Sequence, residues 1–354
     1  MPPLLITPRT NRTRKPSRHK RGLAITAGSL FSGIGGFCQG FSVAGFKQLW
    51  SNELDAGACD FYRENFPSIR LIQRDIRSLR RVDDKLPPVD VLHAGFPCQS
   101  FSQAGERRGF DDPRGLLFFE IIRLLKEYGE RRPSVVVLEN APFIRVGDGG
   151  HWFQTIIREM QRAGYWFRET NCHEVNLWDV TSIPQQRKRL FMIAWSTDAF
   201  LSGRFSLPTV TTPVKDCLSR HISFKGRVAD AYYLPHNNRY HEMLANVKGD
   251  SPGTKRIYQL RKYFVREKLP GVCPTLTANM GQGGHNVPFV WDANGLRRLT
   301  ERECLSLQGF STKYRIPRHM TTRRVYEYIG NSVAPPVAQY LATAIAERIR
   351  KERV

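Results

Sequence analysis

The chain has 354 residues, 41% of them hydrophobic, enough for a large core and two domains. No apolar run approaches the roughly 20 residues that span a bilayer, and the N-terminus lacks a signal-peptide apolar core, so no membrane role is expected. The net charge of +22 points to a polyanion partner, nucleic acid first, and seven scattered cysteines without a Cys-x-x-Cys pair argue against zinc and disulfides and for a reducing, cytoplasmic and nucleoid-associated setting.

Residues 1–22 carry seven basic side chains among prolines and no acid, which predicts a disordered basic arm. Ile25 to Phe31 then reads as a strand, followed by Ser32-Gly33-Ile34-Gly35-Gly36-Phe37 and a helix from Phe37 to Val43. Glycines between a strand and a helix let the backbone turn sharply and approach a ligand. Gln48 to Ser51 reads as a second strand, ending in Asn52-Glu53-Leu54-Asp55. An acid about 20 residues after the glycines is placed to accept from ribose hydroxyls. Asp75-Ile76 repeats the pattern after a third short strand.

Val89 to Leu92 predicts a fourth, buried strand. It leads into Gly95-Phe96-Pro97-Cys98-Gln99-Ser100-Phe101-Ser102, where Pro97 stiffens the turn that aims Cys98. Leu117, Ile121, Leu124, Leu125 and Tyr128 recur at helical spacing, with Leu117 at the helix start beside the expected cofactor. Ser134 to Leu138 is a fifth strand, so apolar that both faces should be buried, and it ends at Glu139-Asn140. A carboxyl leaving a buried strand is desolvated, which raises its pKa. A helix over 151–163 follows, then Gln185-Gln186-Arg187-Lys188-Arg189 feeding a strand from Leu190 to Trp195. Arg187 and Arg189 are alternate residues and project to one side of an extended chain.

From about residue 206 to 319 the strand–helix rhythm gives way to prolines, histidines and short runs. There Lys255, Arg256, Arg261, Lys262, Arg266 and Lys268 are interleaved with Tyr258, Tyr263 and Phe264, a mixture suited to phosphates and bases. Thr275 follows in Cys273-Pro274-Thr275-Leu276-Thr277. Gly330-Asn331-Ser332 precedes a helix starting at Pro335 or Pro336, whose apolar face should lie against the first domain. The fold class expected is α/β: a doubly wound, mostly parallel sheet formed by 23–205 and 320–354, with a smaller domain over 206–319.

The series of motifs resembles the cytosine-C5 DNA methyltransferases, from about Ser29 to Leu341. The motifs are Phe31 to Phe37, Asn52-Glu53-Leu54-Asp55, Asp75-Ile76, Gly95 to Ser102, Glu139-Asn140, Gln185 to Arg189 and Gly330-Asn331-Ser332-Val333. The chain departs from the family at Leu54, commonly Trp, and at Ala141, commonly Val. The resemblance implies the class I S-adenosylmethionine-dependent fold, S-adenosylmethionine as methyl donor and S-adenosylhomocysteine as product. It also implies no metal, a flipped-out cytosine in double-stranded DNA, and a target-recognition domain before the last motif. Such an enzyme would act as a monomer on DNA in restriction-modification, with a partner endonuclease acting separately. Cofactor contacts are expected from Phe31, Gly33, Gly35, Gly36, Glu53, Asp75, Ile76, Pro97, Leu117, Asn331 and Ser332. DNA contacts are expected from Gln99, Ser100, Gln185, Lys255, Arg256, Arg261, Lys262 and Thr275.

The residues themselves suit that chemistry. Carbon 5 of cytosine is a poor nucleophile, and addition of a thiolate at carbon 6 makes it enamine-like, which calls for a cysteine, Cys98. Glu139 can hold a proton at ring nitrogen 3. Arg189, with Arg187 nearby, can stabilise developing charge at the base carbonyl. Alternatives are cytosine methylation in tRNA on the same fold, or a non-catalytic DNA-binding regulator.

Overall fold

The structure is a computed structural model that describes residues 24–97, 115–247, 255–261, 263–281 and 286–352. Cys98, Gln99, Ser100, Lys262 and the basic arm lie outside the described residues. In chain order the first half is β1 (Thr26–Leu30), α1 (Gly36–Val43), β2 (Lys47–Glu53), α2 (Ala56–Asn65), β3 (Arg70–Gln73), β4 (Val91–Gly95), α3 (Leu117–Tyr128), β5 (Val135–Asn140), α4 (His151–Arg162), β6 (Tyr165–Trp166), β7 (Cys172–Asn176), α5 (Leu177–Val180) and β8 (Lys188–Ser196). The strand order is β3-β2-β1-β4-β5-β8-β6, with β7 also on β8. The pairs from β3 to β5 are parallel, and β8 is antiparallel to β5, β6 and β7. The expected doubly wound, mostly parallel sheet is therefore present, and β1, β4 and β5 lie side by side.

The pleat explains why the strands read as nearly continuous apolar runs. On β5, Val136 and Leu138 face one core with Leu92, Ala94, Phe118 and Ile156. Val135 and Val137 face another with Phe37, Phe41, Val337 and Leu341. A sheet covered on both faces tolerates no polar alternation. His93 is the exception on β4. It is held neutral by burial, stacks on Phe37 and Phe41 at 4.9 and 4.7 Å, and its Nε2 meets Gln48 Nε2 at 2.8 Å.

The second half carries α6 (Arg239–Ala245), β9 (Tyr258–Leu260), β10 (Val265–Glu267), β11 (Val287–Asp292), β12 (Gly295–Arg298), α7 (Glu301–Gln308), α8 (Thr322–Asn331) and α9 (Pro335–Glu352). The sheet β10-β9-β11-β12 is separate and antiparallel. Its inner edge is locked by Arg297, fully buried and paired with Asp292 at 2.6 Å and Glu303 at 2.8 Å. A third core joins Leu218, Ile222, Val290 and Leu305 to Ile34, Ala58 and Phe61 of the first half. The last helix, α9, returns to α1 as expected, with Val337, Leu341, Ile345 and Ile349 in the shared core.

Candidate active site

The loop after β1 is shaped by backbone constraints. Phe31 has φ 52°, a left-handed conformation that costs a non-glycine residue about 1–3 kcal/mol. Gly33 and Gly35 follow at φ 52° and 86°. A Cβ on Gly33 would meet nothing within 4 Å, so this glycine borders open space. Gly35 and Gly36 differ: a Cβ would lie 2.2 Å from the Phe66 ring and 2.0 Å from the Val333 carbonyl oxygen, respectively. Those two glycines serve close packing of the loop and α1 against neighbouring segments.

Glu53 clamps this loop. Its Oε2 accepts from the Gly33 N–H at 2.8 Å, and Oε1 accepts from the Leu54 and Asp55 N–H groups at 2.7 and 2.9 Å. A carboxylate offers about four acceptor sites, so one remains on Oε2. Burial raises its pKa, with the backbone donors working against that shift. Leu54 beside it is 59% exposed, an apolar side chain on open ground. Asp75 caps a short turn and pairs with Arg77 at 2.6 Å, so any ligand there competes with a guanidinium. Ile76 is buried, while Leu117 and Pro97 are half-buried. Asn331 is exposed at the end of α8, and Ser332 is buried with its hydroxyl donating to the Ile329 carbonyl at 2.7 Å.

The ends of β4 and β5 meet beside this loop. Gly95 is in register with Glu139, and a Cβ on Gly95 would lie 3.4 Å from Glu139 Oε2. Asn140 donates to the Phe96 carbonyl at 3.2 Å, tying down the chain just before Pro97-Cys98. Glu139 is buried, and burial raises its pKa against the pull of Arg189 and then Arg187. Arg189 Nε approaches Glu139 Oε1 at 3.3 Å.

Arg187 behaves differently from Arg189. Its guanidinium is buried and donates to the carbonyls of Leu276, Gly330 and Ser332 at 2.8, 2.9 and 2.7 Å. It positions the site by tying the β8 entry to the last motif. Gln185, expected at the DNA, is fully buried. Its amide donates to the Leu307 carbonyl at 2.8 Å and Gln308 Oε1 at 3.1 Å, and its Oε1 accepts from the Leu276 N–H at 3.2 Å. The structure thus makes Gln185 an internal brace, because its polar atoms are matched to backbone groups of the second half.

A cleft of about 470 Å³ opens between the β7–β8 entry and the small sheet. Its walls include Asn176, Gln186, Lys188, Gln259, Arg261, Arg266, Lys268, Thr275, Thr277 and Asn286. Of the expected DNA contacts, Arg261 and Thr275 are in this wall; Arg261 donates to Asn286 Oδ1 and Thr275 to the Gln186 carbonyl. Lys255 is exposed and Arg256 pairs with Glu267, and neither is among the wall residues. The carboxamides of Asn176, Gln186, Gln259 and Asn286 were not anticipated, since single amides carry no sequence signal and only tertiary folding gathers them. Asn140 was legible as part of Glu139-Asn140, but its bond to the Phe96 carbonyl was not. Among the described residues no cluster of three His, Cys, Asp or Glu could hold a metal ion, and no helix is long and apolar enough to cross a membrane.

Solved methyltransferases share this fold. One from Entamoeba histolytica superposes with a TM-score of 0.70 at 16% identity, covering 92% of this chain and 99% of that one. A DNA modification methyltransferase encoded within an Escherichia coli prophage gives 0.67 at 23% identity, covering 93% and 100%. The fold is that of S-adenosylmethionine-dependent methyltransferases.

Residues 25–347 match the model of the C-5 cytosine-specific DNA methylases, and the chain belongs to that family. The type II methyltransferase M.Bsp6I of Bacillus sp. (strain RFL6) is 38% identical over 90% of this chain and 97% of its own length. M.HhaI of Haemophilus parahaemolyticus is 32% identical over 90% and 94%. The activity is DNA (cytosine-5-)-methyltransferase, with S-adenosylmethionine as the methyl donor and DNA as the substrate.

Proposed function

We propose that the protein methylates carbon 5 of an extruded cytosine at a specific double-stranded DNA site, through transient addition of Cys98 to carbon 6, as the modification arm of a restriction-modification system. The observation that carries this reading is the meeting of three groups at neighbouring strand ends: the Gly33–Glu53 loop, the Gly95–Pro97 turn and the Glu139–Arg189 pair. Carbon 6 is inaccessible in a stacked duplex, so the base must leave the helix.

When bound, S-adenosylmethionine supplies an electrophilic methyl on a sulfonium. The residues present fit it. Gly33 borders open space, the remaining acceptor site of Glu53 suits a ribose hydroxyl, and Phe31, Leu54, Pro97 and Leu117 offer apolar surface, while Ile76 is buried in the core. Gly35 and Gly36 hold the loop by close packing, Asn331 and Ser332 stand at the end of α8, and Asp75 meets a ligand only in competition with Arg77.

The base is handled by side chains of the β4, β5 and β8 ends. Cys98 follows Pro97 directly, so the turn held by Asn140 delivers it. Of the other cysteines, Cys38, Cys59, Cys172, Cys273 and Cys304 are buried with thiols pushed up by desolvation, whereas Cys217 is exposed with its thiol lowered by the Ser219 hydroxyl but lies in the 206–319 segment and follows none of these strand ends. Glu139, whose pKa burial raises, is the group that can give a proton to ring nitrogen 3 as charge accumulates. Arg189 holds Glu139 in place and stabilises charge on the base carbonyl. Residues 206–319 choose the site, with the 470 Å³ cleft receiving DNA. The enzyme acts as a monomer, and a cognate endonuclease acts separately.

The test uses DNA with 5-fluorocytosine at the target, with S-adenosylmethionine present. Fluorine cannot leave as a cation, so the final elimination stops and the enzyme should remain bonded to DNA through denaturing electrophoresis. Cys98→Ser should form no such band while still binding DNA, since phosphate contacts supply most of that affinity. A denaturation-resistant band with Cys98→Ser would sink the assignment. Parallel methyl-transfer assays on DNA and tRNA test the substrate class.

A further inference from the structure

Resting on the reading that DNA occupies the cleft, we infer that Arg266 reads a guanine of the recognition site in the major groove, from the β9–β10 ribbon. The argument starts from the pleat. Tyr258 and Leu260 of β9 and Val265 of β10 turn to one face of the small sheet, where they meet Val287, Phe289 and Leu296. Gln259 and Arg266 are paired directly across the ribbon, so they stand together on the opposite face. That face at this end is the wall of the cleft. β10 is the edge strand of the four-stranded sheet, and the β9–β10 hairpin at that edge is narrow enough for the major groove, which is about 12 Å wide.

Charge then separates Arg266 from its neighbours. Four cations line the cleft: Lys188, Arg261, Arg266 and Lys268. Lys188 is paired with Glu174 at 3.5 Å, Arg261 donates to Asn286, and Lys268 donates to Gln186 at 3.2 Å. The Arg266 side chain is exposed and has no hydrogen-bond or ion-pair partner among the described residues. A guanidinium kept untethered beside a carboxamide, on a rigid ribbon in a basic cleft, has its fork available. That fork matches the two acceptors on the major-groove edge of guanine, oxygen 6 and nitrogen 7. A phosphate contact would require only charge, which lysine also supplies.

That difference provides the experiment. Wild type, Arg266→Ala and Arg266→Lys are expressed in a host without its own cytosine methylation, and methylated sites are mapped by bisulfite sequencing. Salt dependence of DNA binding is measured on the purified proteins. Both variants should lose discrimination at one guanine of the wild-type site by roughly ten- to a hundredfold. Arg266→Lys should keep the wild-type salt slope. An unchanged site with uniformly weaker methylation that lysine restores would make Arg266 a phosphate contact and overturn the inference. Wild type leaving DNA unmethylated would instead overturn the DNA reading beneath it.

Discussion

Glu139 and Arg189 form the contact on which the proposed chemistry turns, and the electrostatics of Glu139 can be tested without substrate. Burial raises its pKa, and the two arginines only partly offset this. A carboxyl with a folded pKa above its unfolded value, near 4.3 for glutamate, binds its proton more tightly when folded. Its contribution is full at low pH and is lost as pH rises from the unfolded value through the folded one. Glu139→Gln cannot ionise, so its Tm should gain on wild type as pH rises across that window. A Tm difference independent of pH would show that Glu139 is not desolvated. The same variant should lose roughly two to four orders of magnitude in turnover, with cofactor affinity nearly unchanged. The two arginines should separate. Arg187→Ala strands three buried carbonyls and should cost about 3 kcal/mol or more. Arg189→Ala should leave Tm close to wild type and lower turnover about 100- to 1000-fold. Chemical denaturation and steady-state rates read the two effects, and a reversed pattern would exchange the roles assigned to them.

At the scale of elements, the β1–α1 turn joins two functions that the run Gly33-Ile34-Gly35-Gly36 does not distinguish. Gly36 lets α1 meet the Val333 carbonyl, and Gly40 lets it meet the Pro335 carbonyl, where a Cβ would lie 2.4 Å away. Both contacts involve backbone, which cannot swing aside. Gly36→Ala should therefore destabilise by about 1–3 kcal/mol or more. Gly33→Ala meets no atom and carries only left-handed strain, roughly 1–2 kcal/mol. Denaturant midpoints should rank Gly36→Ala below Gly33→Ala. Equal midpoints would mean that the segment at Val333, before α9, yields where the structure shows it held. Titration with S-adenosylhomocysteine should find the larger affinity loss per unit of lost stability in Gly33→Ala.

At the scale of the whole molecule, the segment 206–319 should carry site choice. Exchanging it for that of a relative should move the methylated site, read by bisulfite sequencing, and an unchanged site would place recognition elsewhere. The third core bears on how the exchange is made. Leu218, Ile222, Val290 and Leu305 share it with Ile34, Ala58 and Phe61, so a graft that leaves their volumes mismatched should lower yield and Tm. Composition marked where the strand–helix rhythm stops, but it could not reveal that the core continues beneath the boundary.

The sequence by itself determined the doubly wound sheet, because strands covered on both faces must be apolar throughout, and Val135 to Leu138 and Leu190 to Trp195 are. It also determined that Gly33 follows strand one, that Gly95 ends strand four and that Glu139 lies at the end of strand five, three strands that are neighbours in the sheet. Only the tertiary structure decided what each polar side chain touches. Arg187 and Arg189 are equivalent as alternate residues of an extended chain. One is buried among carbonyls of distant segments and the other faces Glu139, because the partners come from residues 276, 330 and 332 in one case and 139 in the other. Gln185 became a brace and Arg266 an untethered cation for the same reason: hydrogen-bond matching is set by which backbone groups folding brings near, and local sequence does not encode that.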